Sequence, residues 1–176
     1  MTKKHNIFLV GPAGSGKSTI GRNLSQLLQM EFFDSDYEIE RRSGVNIDWI
    51  IDVEGEIGFR TREEKIIAEL TKKRGIVLAA GTSCIQSQNT CTHLSTRGMV
   101  IHLEITTLSK LERTYHNKKY PLPITTSYFK MTTQALLDAQ NLLYKEISDV
   151  TIHTNKQSPR LIVKKILQIL KTNISN

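Results

Sequence analysis

The sequence predicts an α/β fold: a parallel sheet with helices on both faces. Three observations carry that expectation. Short unbroken apolar runs, Ile7-Phe8-Leu9-Val10, Ile76-Val77-Leu78-Ala79-Ala80 and Met99 to Leu103, read as strands buried on both faces. Stretches with helical spacing separate them, the first with Ile20, Leu24, Leu27 and Leu28 at i, i+4, i+7 and i+8. Between the first run and the helix-like stretch Thr19 to Met30 lies a glycine-rich turn, Gly11-Pro12-Ala13-Gly14-Ser15-Gly16-Lys17-Ser18.

That turn has the spacing G-x-x-x-x-G-K-S of a P-loop, set between a strand and a helix as the motif requires. Its glycines let successive backbone N–H groups converge on phosphate oxygens with no Cβ in the way. Lys17 is placed to reach β- and γ-phosphates and Ser18 to offer its hydroxyl to magnesium. The N-terminus of the next helix adds positive potential beneath them.

The remaining elements follow in order. Glu31 to Phe33 makes a brief strand ending in Asp34-Ser35-Asp36, at the sheet edge where open α/β folds bind ligands. Two apart, these carboxylates lie on one side of an extended chain. One can hold magnesium, directly or through water, while the other accepts a proton from a substrate hydroxyl. The same stretch also reads as the cap of a helix starting at Tyr37. Tyr37 to Arg42 is a short helix closed by Gly44. Ile47 to Val53 is another, stopping at Glu54-Gly55, with Trp49 as a packing residue.

A longer helix from about Phe59 to Lys73 turns Ile66, Ile67 and Leu70 inward and ends at Gly75. The run Ile76 to Ala80 leads into a second small-residue turn, Gly81-Thr82-Ser83. A polar helical stretch from Gln86 to Ser95 precedes the strand Met99 to Leu103, and Glu104 reads as a surface or capping carboxylate. Leu108 to His116 is helical, and Asn117 to Pro123 is a basic segment broken by two prolines, a candidate lid. A helix from about Thr132 to Ile147, a strand from Asp149 to Thr154 and a last helix opened by Ser158-Pro159 complete the chain. Ile162, Ile166, Ile169 and Leu170 give that helix its packing stripe.

At 176 residues the chain fits a single domain, 1–176. Lys and Arg number 24 against 17 Asp and Glu, a net charge of +7. The basic residues are scattered in short pairs without a nucleic-acid-binding motif, so the charge favours anionic small molecules over nucleic acid. No apolar run reaches the length of a membrane span, and Ile7 to Val10 is too short for a signal peptide. A cytoplasmic monomer with no membrane partner is expected. Cys84 and Cys91, seven apart with no second pair, make neither a zinc site nor a disulfide framework and read as buried or inert thiols.

Several segments together resemble shikimate kinase, in particular its bacterial type I form. They are Asn6 to Ser18, Phe33-Asp34-Ser35-Asp36, Glu54-Gly55-Glu56 with Gly58-Phe59-Arg60, Ile76-Val77-Leu78-Ala79 before a glycine turn, and Leu143 to Asp149. The similarity runs in order through almost the entire chain. It implies a nucleoside-monophosphate-kinase-like P-loop fold with a five-stranded parallel sheet, a substrate-binding region at about 34–61 and a lid at about 114–126. The implied reaction moves the ATP γ-phosphoryl group to the 3-hydroxyl of shikimate, on the route to chorismate and aromatic amino acids.

By position, the resemblance implies that Gly14, Ser15, Gly16, Lys17, Ser18 and Thr19 bind phosphate. Ser18 becomes a Mg2+ ligand with Asp34 as its partner. Lys17 and Asp36 become catalytic, Asp36 touching the shikimate hydroxyl and taking its proton. Arg60 meets the substrate carboxylate with a planar donor fork, and Gly81 and Thr82 adjoin the substrate. Arg113 lies along the adenine, with Gln157 near the same base.

Where the family has three consecutive glycines, this chain has Gly81-Thr82-Ser83, and a side chain at Thr82 is expected to crowd the approach and resist positive φ. Tyr120 stands for a lid arginine, with Lys118 and Lys119 beside it as point charges, Gln140 for a second carboxylate-binding arginine, and Leu142 for a proline. A neutral amide in place of a charge-assisted contact forfeits about 1.5–3 kcal/mol, roughly one to two decades in affinity. These changes motivate a second reading, a nucleotide-binding protein that no longer phosphorylates shikimate. A third, a kinase for a hydroxylated acceptor without a carboxylate, is opposed by the retention of Arg60.

Overall fold

Five parallel strands form one sheet: β1 (Ile7–Val10), β2 (Glu31–Asp34), β3 (Ile76–Ala79), β4 (Met99–Glu104) and β5 (Val150–His153), in the order β2-β3-β1-β4-β5. The computed structural model describes residues 6–106 and 127–174, with side chains over 6–106 and 134–172. Every residue of β1 and β3 is buried, as their unbroken apolar runs require of central strands. β2 is an edge strand and only partly covered. The registers Leu9↔Ala79, Asp34↔Ala79 and Val10↔His102 bring the C-terminal ends of β1, β2, β3 and β4 to one edge.

The helices are α1 (Lys17–Leu28), α2 (Ser35–Ser43), α3 (Ile47–Leu70), α4 (Gln88–Arg97), α5 (Ser127–Ile147) and α6 (Pro159–Ile174). They divide the core in two. On one face Ile20 and Leu24 of α1 pack with Ile162, Val163 and Ile166 of α6 against Leu9, Val77 and Ile101. On the other, Ile66, Ile67 and Leu70 of α3 and Tyr144 of α5 pack against Phe8, Leu78 and Val100. Leu24 has no exposed surface, and truncating it to alanine is expected to cost about 2–5 kcal/mol.

Several sequence expectations are corrected. Leu27, placed in the α1 stripe, is 64% exposed because it lines an open groove between α1 and α6 with Val163 and Leu167. Trp49 is half exposed rather than packed, since α3 turns Ile50 inward at that point. The break at Gly55 is real, with φ 72° and ψ 175°, but helix resumes before Phe59. The Arg62 fork closes on Glu54 across that kink at 2.6 and 2.9 Å. α5 begins at Ser127, ahead of Thr132. Glu104, read as a surface or capping group, is largely buried and pairs with Lys145 at 2.7 Å and His153 at 2.6 Å. Cys84 and Cys91 are buried, and burial pushes both thiols up. Arg113, Lys118, Lys119, Tyr120 and the segment 114–126 lie outside the described residues. Among the described residues no helix is long and apolar enough to cross a membrane.

Candidate active site

β1 delivers the chain into the 11–16 loop, where Gly11, Gly14 and Gly16 hold φ of 149°, 79° and 94°. Side chains resist such values. A Cβ on Gly11 would also run into the Leu103 carbonyl of β4 at 2.6 Å. Gly16 is the N-cap of α1 and supplies no side-chain cap, and this end of the helix, with its positive pole, lines the cleft. Lys17 Nζ donates to the carbonyls of Gly11 and Pro12 at 2.7 and 3.1 Å, which draws its charge over the loop. Ser15 sits behind the loop: its side chain is buried and its N–H donates to Pro12.

The cleft in front of the loop has a volume of about 280 Å³. Gly14, Gly16, Lys17, Ser18 and Thr19 form one wall, and Asp34, Asp36, Gly81 and Thr82 the other. Residues from the ends of three strands thus converge. The sequence placed Asp34 and Asp36 on one extended segment, but β2 ends at Asp34 and Asp36 belongs to the first turn of α2. Asp34 Oδ1 caps that helix, accepting from the N–H groups of Asp36 and Tyr37 at 3.1 and 3.3 Å. Its Oδ2 accepts from Ser18 Oγ at 2.5 Å. Capping and site roles therefore coincide in one carboxylate.

Asp36 has a buried Oδ1 with no hydrogen-bond partner among the described residues. Burial, reinforced by the Asp34 charge and opposed by Lys17, raises its pKa from 3.8 to about 6. A carboxylate so placed near a P-loop lysine has the basicity of a proton acceptor working near neutral pH.

Glu63, which the sequence reading missed, is 3% exposed, and burial raises it from 4.5 to about 7 against the hydrogen bond from Ser83. The signal was available: Glu63 precedes Ile66, Ile67 and Leu70 by three, four and seven positions, so a carboxylate occupies the apolar stripe of α3. Gly81 lies between these acids, and a Cβ there would collide with Asp36 Oδ1 and Glu63 Oε1.

A second pocket of about 210 Å³ adjoins the cleft through Asp36 and Thr82. Ile47, Phe59, Ser83, Gln86 and Gln140 complete its lining, which includes no cation among the described residues. The expectation that Thr82 must resist positive φ is overturned. Gly81 has φ −57°, and the chain enters a 3-10 turn over Thr82–Gln86 with no left-handed residue, a conformation open to Thr and Ser. Arg60 is in the lining of neither pocket; its side chain is half exposed and paired with Glu56 at 3.0 Å. Gln157 donates to the His153 carbonyl at 3.1 Å and does not line the cleft.

A 2-3-1-4-5 parallel sheet, a P-loop and a buried carboxylate across the cleft define an ATP-dependent P-loop kinase. The comparisons narrow the class. The shikimate kinase family profile matches residues 13–171. Shikimate kinase 1 of Yersinia enterocolitica is 53% identical over 98% of this chain and 100% of its own length, and that of Erwinia tasmaniensis is 54% identical over 97% and 99%. The shikimate kinase of Acinetobacter baumannii, solved in complex with shikimate, superposes with a TM-score of 0.86 at 43% identity, covering 96% of this chain and 94% of that one. The chain belongs to the shikimate kinase family.

Proposed function

We propose that the protein transfers the γ-phosphoryl group of ATP to the 3-hydroxyl of shikimate, giving shikimate 3-phosphate for chorismate and aromatic amino acid synthesis. The observation that carries this reading is that Lys17 and Asp36 line one cleft from facing walls. Asp36 takes the hydroxyl proton as the oxygen bonds to the γ-phosphorus and the bridge to the β-phosphate breaks, releasing ADP. Gly14, Ser15, Gly16, Lys17 and Thr19 cradle the phosphates. Arg60 turns to the acceptor carboxylate, and Gly81 and Thr82 adjoin the acceptor.

Ser18 and Asp34 are the residues that would hold Mg2+, Asp34 directly or through water. Their oxygens, 2.5 Å apart on the cleft wall, are the hard donors such an ion takes. When bound, the ion supplies charge neutralisation at the phosphate oxygens. Arg113 and Gln157 are assigned to the adenine. The chain acts as one domain, 1–176, with residues 34–61 on the acceptor side and 114–126 as the lid. We assign it to the cytoplasm as a monomer without nucleic-acid or membrane partners.

The lining around Gln140, which holds no cation among the described residues, favours one alternative, a nucleotide-binding module that has lost the acceptor. Isothermal titration separates the two. Binding of both MgATP and shikimate supports the kinase, whereas MgATP binding without shikimate binding supports the module.

A further inference from the structure

The turn Gly81-Thr82-Ser83 is gripped at each residue by a different helix. The Gly81 N–H donates to Ser35 Oγ of α2 at 2.8 Å. Tyr144 Oη of α5 donates to the Thr82 carbonyl at 2.7 Å, and Ser83 Oγ donates to Glu63 Oε2 of α3 at 2.6 Å. Ser35 and Tyr144 are fully buried and Glu63 nearly so.

Each of these groups neighbours, on its own helix, a residue that lines the second pocket. Ser35 adjoins Asp36 in sequence. Glu63 is one helical turn from Phe59, and Tyr144 one helical turn from Gln140. The three hydrogen bonds therefore tie three walls of the pocket to its floor. Tyr144 is fixed in turn by stacking on the buried His102 ring, 5.3 Å between centroids and 28° between planes.

We infer that Glu63 and Tyr144 are positioning residues that set the width of the acceptor pocket by holding the Gly81–Ser83 turn against α3 and α5. The inference rests on the acceptor reading above and adds residues to it. A buried carboxylate with one oxygen bonded to Ser83 and the other without a hydrogen-bond partner among the described residues is costly to stability, which sets Glu63 apart from a packing residue. Thr82 and Ser83 need no left-handed backbone here, so side-chain bonds fix the turn in place of glycine geometry. The first N–H groups of a 3-10 turn have no carbonyl within it to bond, and their direction follows the turn.

The test is steady-state kinetics with MgATP and shikimate on the wild type, Ser83→Ala, Glu63→Ala, Glu63→Gln, Tyr144→Phe and the double variant Ser83→Ala/Glu63→Ala, each with its melting temperature. Ser83→Ala and Tyr144→Phe are expected to raise the shikimate KM roughly three- to tenfold each while the ATP KM stays within about twofold. Glu63→Gln keeps an oxygen for Ser83 and recovers most of the KM lost in Glu63→Ala, and the double variant is no worse than Glu63→Ala alone. A melting shift with both KM values moved equally, or an unchanged shikimate KM in Ser83→Ala and Tyr144→Phe, overturns the inference. Wild-type protein without shikimate turnover removes the acceptor reading first and this inference with it.

Discussion

Ser18 and Asp34 meet in a 2.5 Å hydrogen bond, while the second oxygen of the same carboxylate caps α2. The carboxylate proposed to hold Mg2+ thereby also starts the helix that carries Asp36. The two roles come apart in different variants. Asp34→Asn keeps a good cap and is expected to stay within about 0.5 kcal/mol of wild-type stability, whereas Asp34→Ala loses about 1 kcal/mol. Both raise the Mg2+ concentration needed for half-maximal activity. Chemical denaturation alongside a Mg2+ titration of the rate checks this, and an unchanged Mg2+ requirement in Asp34→Asn contradicts it.

The raised pKa of Asp36 sets a pH dependence. A proton acceptor works only when ionised, so kcat/KM rises with pH and levels off above about 6. Asp36→Asn lowers kcat by roughly a hundredfold or more and abolishes that limb. A wild-type profile flat from pH 5 to 8 argues against Asp36 as the acceptor.

Glu63 makes a stability prediction of definite sign. Its folded pKa, about 7, exceeds the usual 4.5, so the folded state keeps a proton that the unfolded chain releases. The site's contribution is complete below pH 4.5 and is lost as pH rises through 7. The difference corresponds to about 3 kcal/mol at most. Glu63→Gln does not titrate, so its stability relative to wild type increases between pH 4.5 and 8. Urea denaturation across that range shows the two curves diverging, and parallel curves contradict the assignment.

Gln140 lines the second pocket, proposed to take the acceptor, so restoring a guanidinium there tests what the pocket receives. Gln140→Arg is expected to lower the shikimate KM by roughly a decade and leave the ATP KM nearly unchanged. Equal movement of both values means that position 140 does not face the acceptor.

The donor half of the site was legible because the P-loop is local: its glycines, lysine and serine act within one turn of chain, and the structure gives Gly11, Gly14 and Gly16 the conformations their spacing requires. The five-stranded parallel sheet and the pairing of Asp34 with Ser18 follow from the family resemblance, whereas the strand order comes from the structure. Asp36 was placed at the cleft for an incomplete reason, since the strand gives way before it to a helix that Asp34 caps. Glu63 and Tyr144 were missed because their roles depend on contacts 20 and 62 positions away, made with Ser83 and Thr82. Thr82 was misjudged for a related reason: residue type suggested a glycine geometry, while the backbone there is an ordinary 3-10 turn.

The most direct test of the kinase reading is a coupled assay with MgATP and shikimate, run beside Lys17→Ala and Asp36→Asn, with the phosphate position on the product read by phosphorus–proton NMR. The predicted result is wild-type phosphorylation at the 3-oxygen, abolished in both variants. Wild-type protein that produces no phosphorylated shikimate above background at high enzyme concentration would contradict it.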